Sequence, residues 1–175
     1  MPVETLVVEM AHCRVSKIIE GGKLIGISID GGKGDPADGP ERSPDWSNLV
    51  EDIDWSMVTP FRRLVFETLL DNVQRGSLVT YGELASAAGR PGSARAVGSA
   101  LSSNPWPLVV PCHRVVRSNG HIGPYSAGSG ISTKRSLLVS EGLEIDAEFR
   151  FDQKNLTKIA KEARDATIQT KTYVF

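Results

Sequence analysis

The stretch Val109-Val110-Pro111-Cys112-His113-Arg114-Val115-Val116 is the strongest constraint on how this chain can fold. Branched apolar residues on both flanks favour burial, yet the middle carries a thiol, an imidazole and a guanidinium, groups that are costly to bury without partners. The plainest reading is a buried strand that ends in a buried cysteine, since cysteine is among the most often buried residues. Asn104 before the run, and His113 and Arg114 within it, speak for a functional site instead. A free thiol has a pKa of about 8.5 and becomes a strong nucleophile only when a base, a positive charge or aligned N–H groups favour its anion. Neighbouring strand residues point to opposite faces, so His113 can serve Cys112 only if the chain turns at Pro111 or a water bridges the two.

With 175 residues, 40% apolar and 23% charged, the chain can build an ordinary core as one domain or as a small domain joined to a larger one. Its two cysteines, Cys13 and Cys112, make neither a disulfide framework nor a CxxC zinc site, and no metal is expected. The N-terminus lacks a basic region followed by a long apolar run, and no stretch is apolar enough to span a membrane. A soluble, cytoplasmic, monomeric protein with a free Cys112 is therefore expected. The net charge of -1 hides an asymmetry: residues 1–60 carry 5 Lys/Arg against 11 Asp/Glu, residues 61–145 carry 9 against 5. The second part is the better candidate to face an anion.

Three strand patterns open the chain, at 3–10, Cys13 to Ile19 and Lys23 to Ile29, the last two joined by the hairpin signal Glu20-Gly21-Gly22. Gly31 to Pro44 reads as a loop, and Asp45 to Asp54 holds a short helix beside Trp46 and Trp55. Thr59-Pro60 starts a helix whose stripe is Phe61, Leu64, Val65, Thr68 and Leu69, with Arg62 and Arg63 facing solvent. Thr80-Tyr81-Gly82-Glu83 is a capping box for a helix through Ala88, and a second helix runs from Ala94 to Leu101 after the turn Gly89-Arg90-Pro91-Gly92-Ser93. The pair has the layout of a helix-turn-helix, although ordinary helical hairpins share it. Ser93, Ala94, Ala96, Gly98, Ser99 and Ala100 are all small and Arg95 is the only long side chain, a composition suited to the minor groove of a duplex. Ser118 to Gly130 forms a glycine-rich loop of the length that often lines a site. A helix from Ser132 to Ser140 ends at Glu141-Gly142, and Leu156, Ile159, Ala160 and Ala163 suggest one more. Ile168 to Phe175 is a strand or a loose tail.

From Thr59 to Leu143 these residues resemble the O6-alkylguanine-DNA alkyltransferase family, and Pro111-Cys112-His113-Arg114-Val115 is the most specific part of the match. The resemblance implies an α+β fold: a small N-terminal antiparallel sheet domain of ribonuclease H-like type at 1–56, a mainly helical catalytic domain with a winged-helix-like helix-turn-helix at 59–147, and an extension at 148–175. It implies direct, irreversible transfer of an alkyl group from O6-alkylguanine in double-stranded DNA to a cysteine, once per molecule, with no cofactor. Cys112 is then the acceptor, with His113 and Glu141 in a Cys–water–His–Glu network and Asn104 bracing the turn. Tyr81 would help rotate the lesion out and Arg95 would fill the gap it leaves. Ser93, Ala94, Gly98 and Arg114 would join the DNA contacts, while Val115, Pro124, Tyr125, Ser126 and Lys134 would frame the alkylguanine.

The chain departs from the pattern in a longer loop around Gly128-Ser129-Gly130 and in Pro124, and His12 with Cys13 does not make the zinc site of some relatives. Two other readings use the same residues. A regulatory DNA-binding module would leave Cys112 as a sensor or a core residue, and a cysteine hydrolase would turn over its substrate without needing Arg95.

Overall fold

A computed structural model describes residues 3–10, 13–31 and 44–159. Strands β1 (Val3–Met10), β2 (Cys13–Glu20) and β3 (Lys23–Gly31) form an antiparallel meander in the order β1-β2-β3. Gly21 and Gly22 both take positive φ, +56° and +76°, which is what a two-residue turn between twisted strands requires. Cys13 and Val15 face the core from β2, as do Leu24, Ile27 and Ile29 from β3. The odd step from Leu24 to Ile27 comes from a register shift between Ile18 and Ile19, which turns the inward face over by one residue. Asp45 to Asp54 contains a 3-10 turn at Ser47–Asp52, and a second follows at Trp55–Met57.

Helix α1 (Pro60–Asn72) begins as expected, with proline at its first turn and the Thr59 hydroxyl accepting the Arg62 N–H at 3.4 Å. Arg63 is exposed but engaged, paired with Glu67 at 3.3 Å and lying over the Trp55 ring. Strand β4 (Val79–Thr80) pairs in parallel with β5 (Val115–Val116). Helix α2 (Tyr81–Ala87) is capped by Thr80, whose hydroxyl accepts the Glu83 N–H at 3.1 Å. The reciprocal half of the capping box is not made. Thr80 is already a strand residue paired with Val116, and the Glu83 carboxylate accepts the Ile159 N–H at 3.0 Å instead. Helix α3 (Ala94–Ser102) buries Val97, Ala100 and Leu101 and leaves Arg95, Ala96 and Ser99 exposed.

Two expectations are corrected. The apolar run before Cys112 is not a strand: Pro107 and Val110 form an isolated bridge, Leu108 turns the chain at φ +77°, and Cys112–Arg114 form a 3-10 turn ahead of β5. The run is apolar because it is buried from Trp106 to Pro111, and burial alone does not select a strand. The second concerns the C-terminal segment, where the expected helix through Leu156 and Ile159 is absent. Helix α4 (Ile131–Ser140) ends at Gly142, φ +91°, and the chain then crosses back through bridges Ile145 to Phe151, His121 to Arg150 and Leu78 to Leu156, with one 3-10 turn at Gln153–Asn155. Leu156 and Ile159 are apolar because they cover existing surfaces rather than one helical face. The expectations for 32–43, for Ala160 and Ala163, and for Ile168 to Phe175 lie outside the described residues.

One core runs from the sheet into the helices. Trp106 sits at its centre, fully buried, donating its indole N–H to the Leu24 carbonyl at 2.9 Å and meeting Trp55 and Phe66 edge to face. The Ile27 N–H reaches the Pro105 carbonyl at 2.8 Å, so the N-terminal sheet holds the turn leading to Cys112 from behind. A second apolar cluster, Leu78, Val116, Ile122, Leu138, Leu143, Ile145 and Phe151, holds β4, β5, α4 and the returning segment together.

Candidate active site

Cys112 opens the 3-10 turn with its N–H bonded to the Val110 carbonyl at 2.7 Å, and the residue is only 7% exposed. Asn104 builds this turn: its amide donates to the Val110 carbonyl at 3.0 Å and to Cys112 Sγ at 3.2 Å, while its own carbonyl accepts the Trp106 N–H at 2.9 Å. Burial pushes the Cys112 thiol pKa up, and the Asn104 donor and the Lys134 charge pull against it. The thiol is thus protonated at rest, and a base must take its proton as the reaction begins.

The chain does turn at Pro111, and the His113 ring is buried. Its Nε2 meets Glu141 Oε1 at 2.8 Å, at the end of α4, with both side chains buried. A carboxylate on Nε2 favours the proton on that nitrogen and leaves Nδ1 as the acceptor. Nδ1 is buried without a hydrogen-bond partner. Burial lowers the His113 pKa, against the pull of Glu141, so the imidazole is neutral and able to accept. Burial alone would raise the Glu141 pKa, but His113 and Arg114 outweigh it and hold the carboxyl well below the usual range.

Arg114 was grouped with the DNA contacts on resemblance, and here it faces the other way. Its guanidinium meets Glu141 Oε1 at 2.9 Å and Oε2 at 3.0 Å and the Val73 carbonyl at 3.1 Å, so it holds the carboxylate together with His113. Lys134 is fully buried, donating to the Val115 carbonyl at 2.6 Å and more weakly to the Pro124 carbonyl at 3.4 Å. Burial lowers its pKa to about 7. The Tyr125 hydroxyl is buried near the thiol without a well-formed hydrogen bond, and its pKa is raised first by burial and then by the charge Cys112 would carry.

A cavity of about 580 Å³ opens above the thiol. Tyr81, Ala94, Arg95, Gly98, Cys112, Pro124, Tyr125 and Ser126 line it, and the Tyr81 ring lies close enough to Gly98 that an added Cβ there would sit 3.9 Å from it. Ser126 donates its hydroxyl to the Ser102 carbonyl at 3.0 Å and so ties the loop to α3. Ser93, Val115 and Lys134 do not line the cavity: Ser93 precedes α3, and the Val115 carbonyl is taken by Lys134. The sequence reading missed Arg117, which does line it. Its signal was its place just after β5, at the root of the glycine loop, since loops of that length often line a site.

The fold and the site define a protein that keeps a buried thiol at the floor of an open cavity. Residues 60–143 match the family described as 6-O-methylguanine DNA methyltransferase, DNA binding domain. A methylated-DNA–protein-cysteine methyltransferase of Thermococcus kodakarensis is 44% identical over 131 residues, 71% of this chain and 71% of its own length. The crystal structure of O6-methylguanine-DNA methyltransferase from Pyrococcus kodakaraensis superposes with a TM-score of 0.63 at 35% identity, covering 81% of this chain and 98% of that one. Mycobacterium tuberculosis OGT in complex with DNA gives 0.58 at 26% identity, over 77% of this chain and 90% of that one. The chain belongs to the O6-alkylguanine-DNA alkyltransferase family. It is a DNA-repair enzyme that moves an alkyl group from the lesion directly onto a cysteine and is consumed in doing so.

Proposed function

We propose that Cys112 is the alkyl acceptor and that double-stranded DNA presents O6-alkylguanine to it with the damaged base swung out of the stack. The thiol at the floor of a cavity of about 580 Å³, backed by the His113–Glu141 pair, carries this reading. A carbon on guanine O6 cannot be attacked in line inside a stacked duplex, so the base must leave it at a cost of a few kcal/mol. The unpartnered His113 Nδ1 takes the thiol proton through a water, and Glu141, held by Arg114, stabilises the imidazolium. The sulfur displaces guanine from the alkyl carbon, and donors near Ser126 stabilise the departing oxygen. The product is a thioether, which has no hydrolysable bond, so each molecule acts once.

Helices α2 and α3 serve as a helix-turn-helix whose exposed small residues lie against the minor groove, with Tyr81 turning the nucleotide and Arg95 entering the gap. Arg95 is exposed on the first turn of α3 and lines the cavity, which suits both tasks. The three-stranded meander is assigned to the ribonuclease H-like part at 1–56 and the catalytic part to 59–147. Arg95→Ala tests the finger: reaction with duplex DNA should fall by roughly tenfold or more, the loss of a contact worth 1.5–3 kcal/mol, while reaction with free O6-benzylguanine base stays near the parent rate. Equal losses on both substrates would remove the finger role.

A further inference from the structure

We propose that Arg117 is a phosphate clamp, gripping the backbone of the extruded nucleotide at the mouth of the cavity while the base sits over Cys112. The inference rests on the base-flipping reading above. Arg117 is exposed, lines the cavity, and makes no side-chain hydrogen bond or ion pair with any described residue. Its stem is nonetheless seated. The Arg117 N–H bonds the His121 carbonyl at 3.1 Å, and a Cβ added at Gly123, φ +79°, would meet Arg117 Cγ at 3.4 Å. The loop that carries Pro124, Tyr125 and Ser126 thus uses a glycine both to turn and to leave room for this side chain.

Arg117 shares the cavity wall with Tyr81, Arg95 and Cys112. Among the described residues none that lines the cavity is acidic, and two that do, Arg95 and Arg117, are basic. A planar guanidinium with free donors matches an oxyanion in two-pronged geometry. A phosphate accompanies every nucleotide that enters, whereas a carboxylate on the alkyl group is the only other oxyanion that a lesion could bring. Arg114, close by in sequence, is not available for this task, because Glu141 holds it.

Single-turnover rates of the parent, Arg117→Ala, Arg117→Lys and Arg95→Ala test this on O6-methylguanine in single-stranded and duplex DNA, on O6-carboxymethylguanine duplex, and on free O6-benzylguanine base. Arg117→Ala should lose about tenfold on both methylated DNA forms and stay within about twofold on the free base, with the slope of log rate against log salt reduced by about one. Arg117→Lys should recover most of the loss. Arg95→Ala should instead spare the single strand, because a finger fills a gap that only a duplex has. An equal loss on the free base would make Arg117 a structural residue, and no loss on methylated DNA would remove the clamp. A loss confined to the carboxymethyl substrate would transfer the contact to the adduct. Absence of transfer by the parent from every substrate would overturn the underlying assignment and the clamp with it.

Discussion

Glu141 shows how one carboxylate ties stability to chemistry. It bonds His113 and Arg114 at once, and all three are largely buried. Removing one partner of such a set leaves the others desolvated and unpaired, at a cost of about 3–5 kcal/mol. Glu141→Gln should therefore lower Tm, and at a temperature well below that Tm it should slow transfer to free O6-benzylguanine by on the order of 10²-fold or more, the usual worth of a positioned base. The pH dependence follows from the same shifts. Both His113 and Glu141 have folded pKa values below their unfolded ones, so the native state binds fewer protons. Their contribution is present at neutral pH, declines as pH falls below about 6.5 for the imidazole, and declines further below about 4.3 for the carboxyl. Tm against pH should drop across that window for the parent, and for Glu141→Gln the part of the drop below about 4.3 should shrink, because no carboxylate is left there to protonate. Parallel curves would mean that the pair does not control acid stability.

At the scale of elements, the ends of helices place the site. Helix α4 delivers Glu141 at its C-cap, and the chain leaves through Gly142 at φ +91° with open space around the position where a Cβ would stand. Gly142→Ala would therefore act through backbone strain alone, costing about 1–2 kcal/mol; thermal unfolding at pH 7 should show that loss, and an unchanged Tm would contradict it. Such caps were legible from the amino acids, as were Thr59-Pro60, the Gly21-Gly22 turn and the two short helices, because each rests on a local rule. The turn that carries Cys112 was not. Its conformation is set by Asn104, by Trp106 locked onto Leu24, and by Leu108 in a left-handed conformation, contacts that no local pattern announces. The same holds for Arg114, whose partners at Glu141 and Val73 lie 27 and 41 residues away in sequence, and for Glu83, diverted from its cap to Ile159.

Over the whole molecule, the site depends on parts that take no part in the chemistry. The N-terminal sheet reaches the active-site turn through two backbone acceptors, Leu24 and Pro105, and one continuous core joins sheet and helices. The segment after Leu143 returns to close a second cluster under β5 and α4, with Phe151 buried at its edge. Phe151→Ala should cost about 3–5 kcal/mol in chemical denaturation, with the transfer rate of the still-folded fraction unchanged; a cost below 1 kcal/mol would show that the segment is dispensable. No described helix is long and apolar enough to cross a membrane. The central claim is that a buried thiol, deprotonated through His113 and reached by a base that lies outside the stack, accepts one alkyl group and keeps it. The most direct test is to incubate the protein with excess duplex carrying radiolabelled O6-methylguanine and then to map the label by mass spectrometry. The account predicts a plateau at one methyl group per molecule, all of it on Cys112 and none on Cys112→Ser. Label on another residue, repeated turnover, or tight DNA binding without transfer would contradict it.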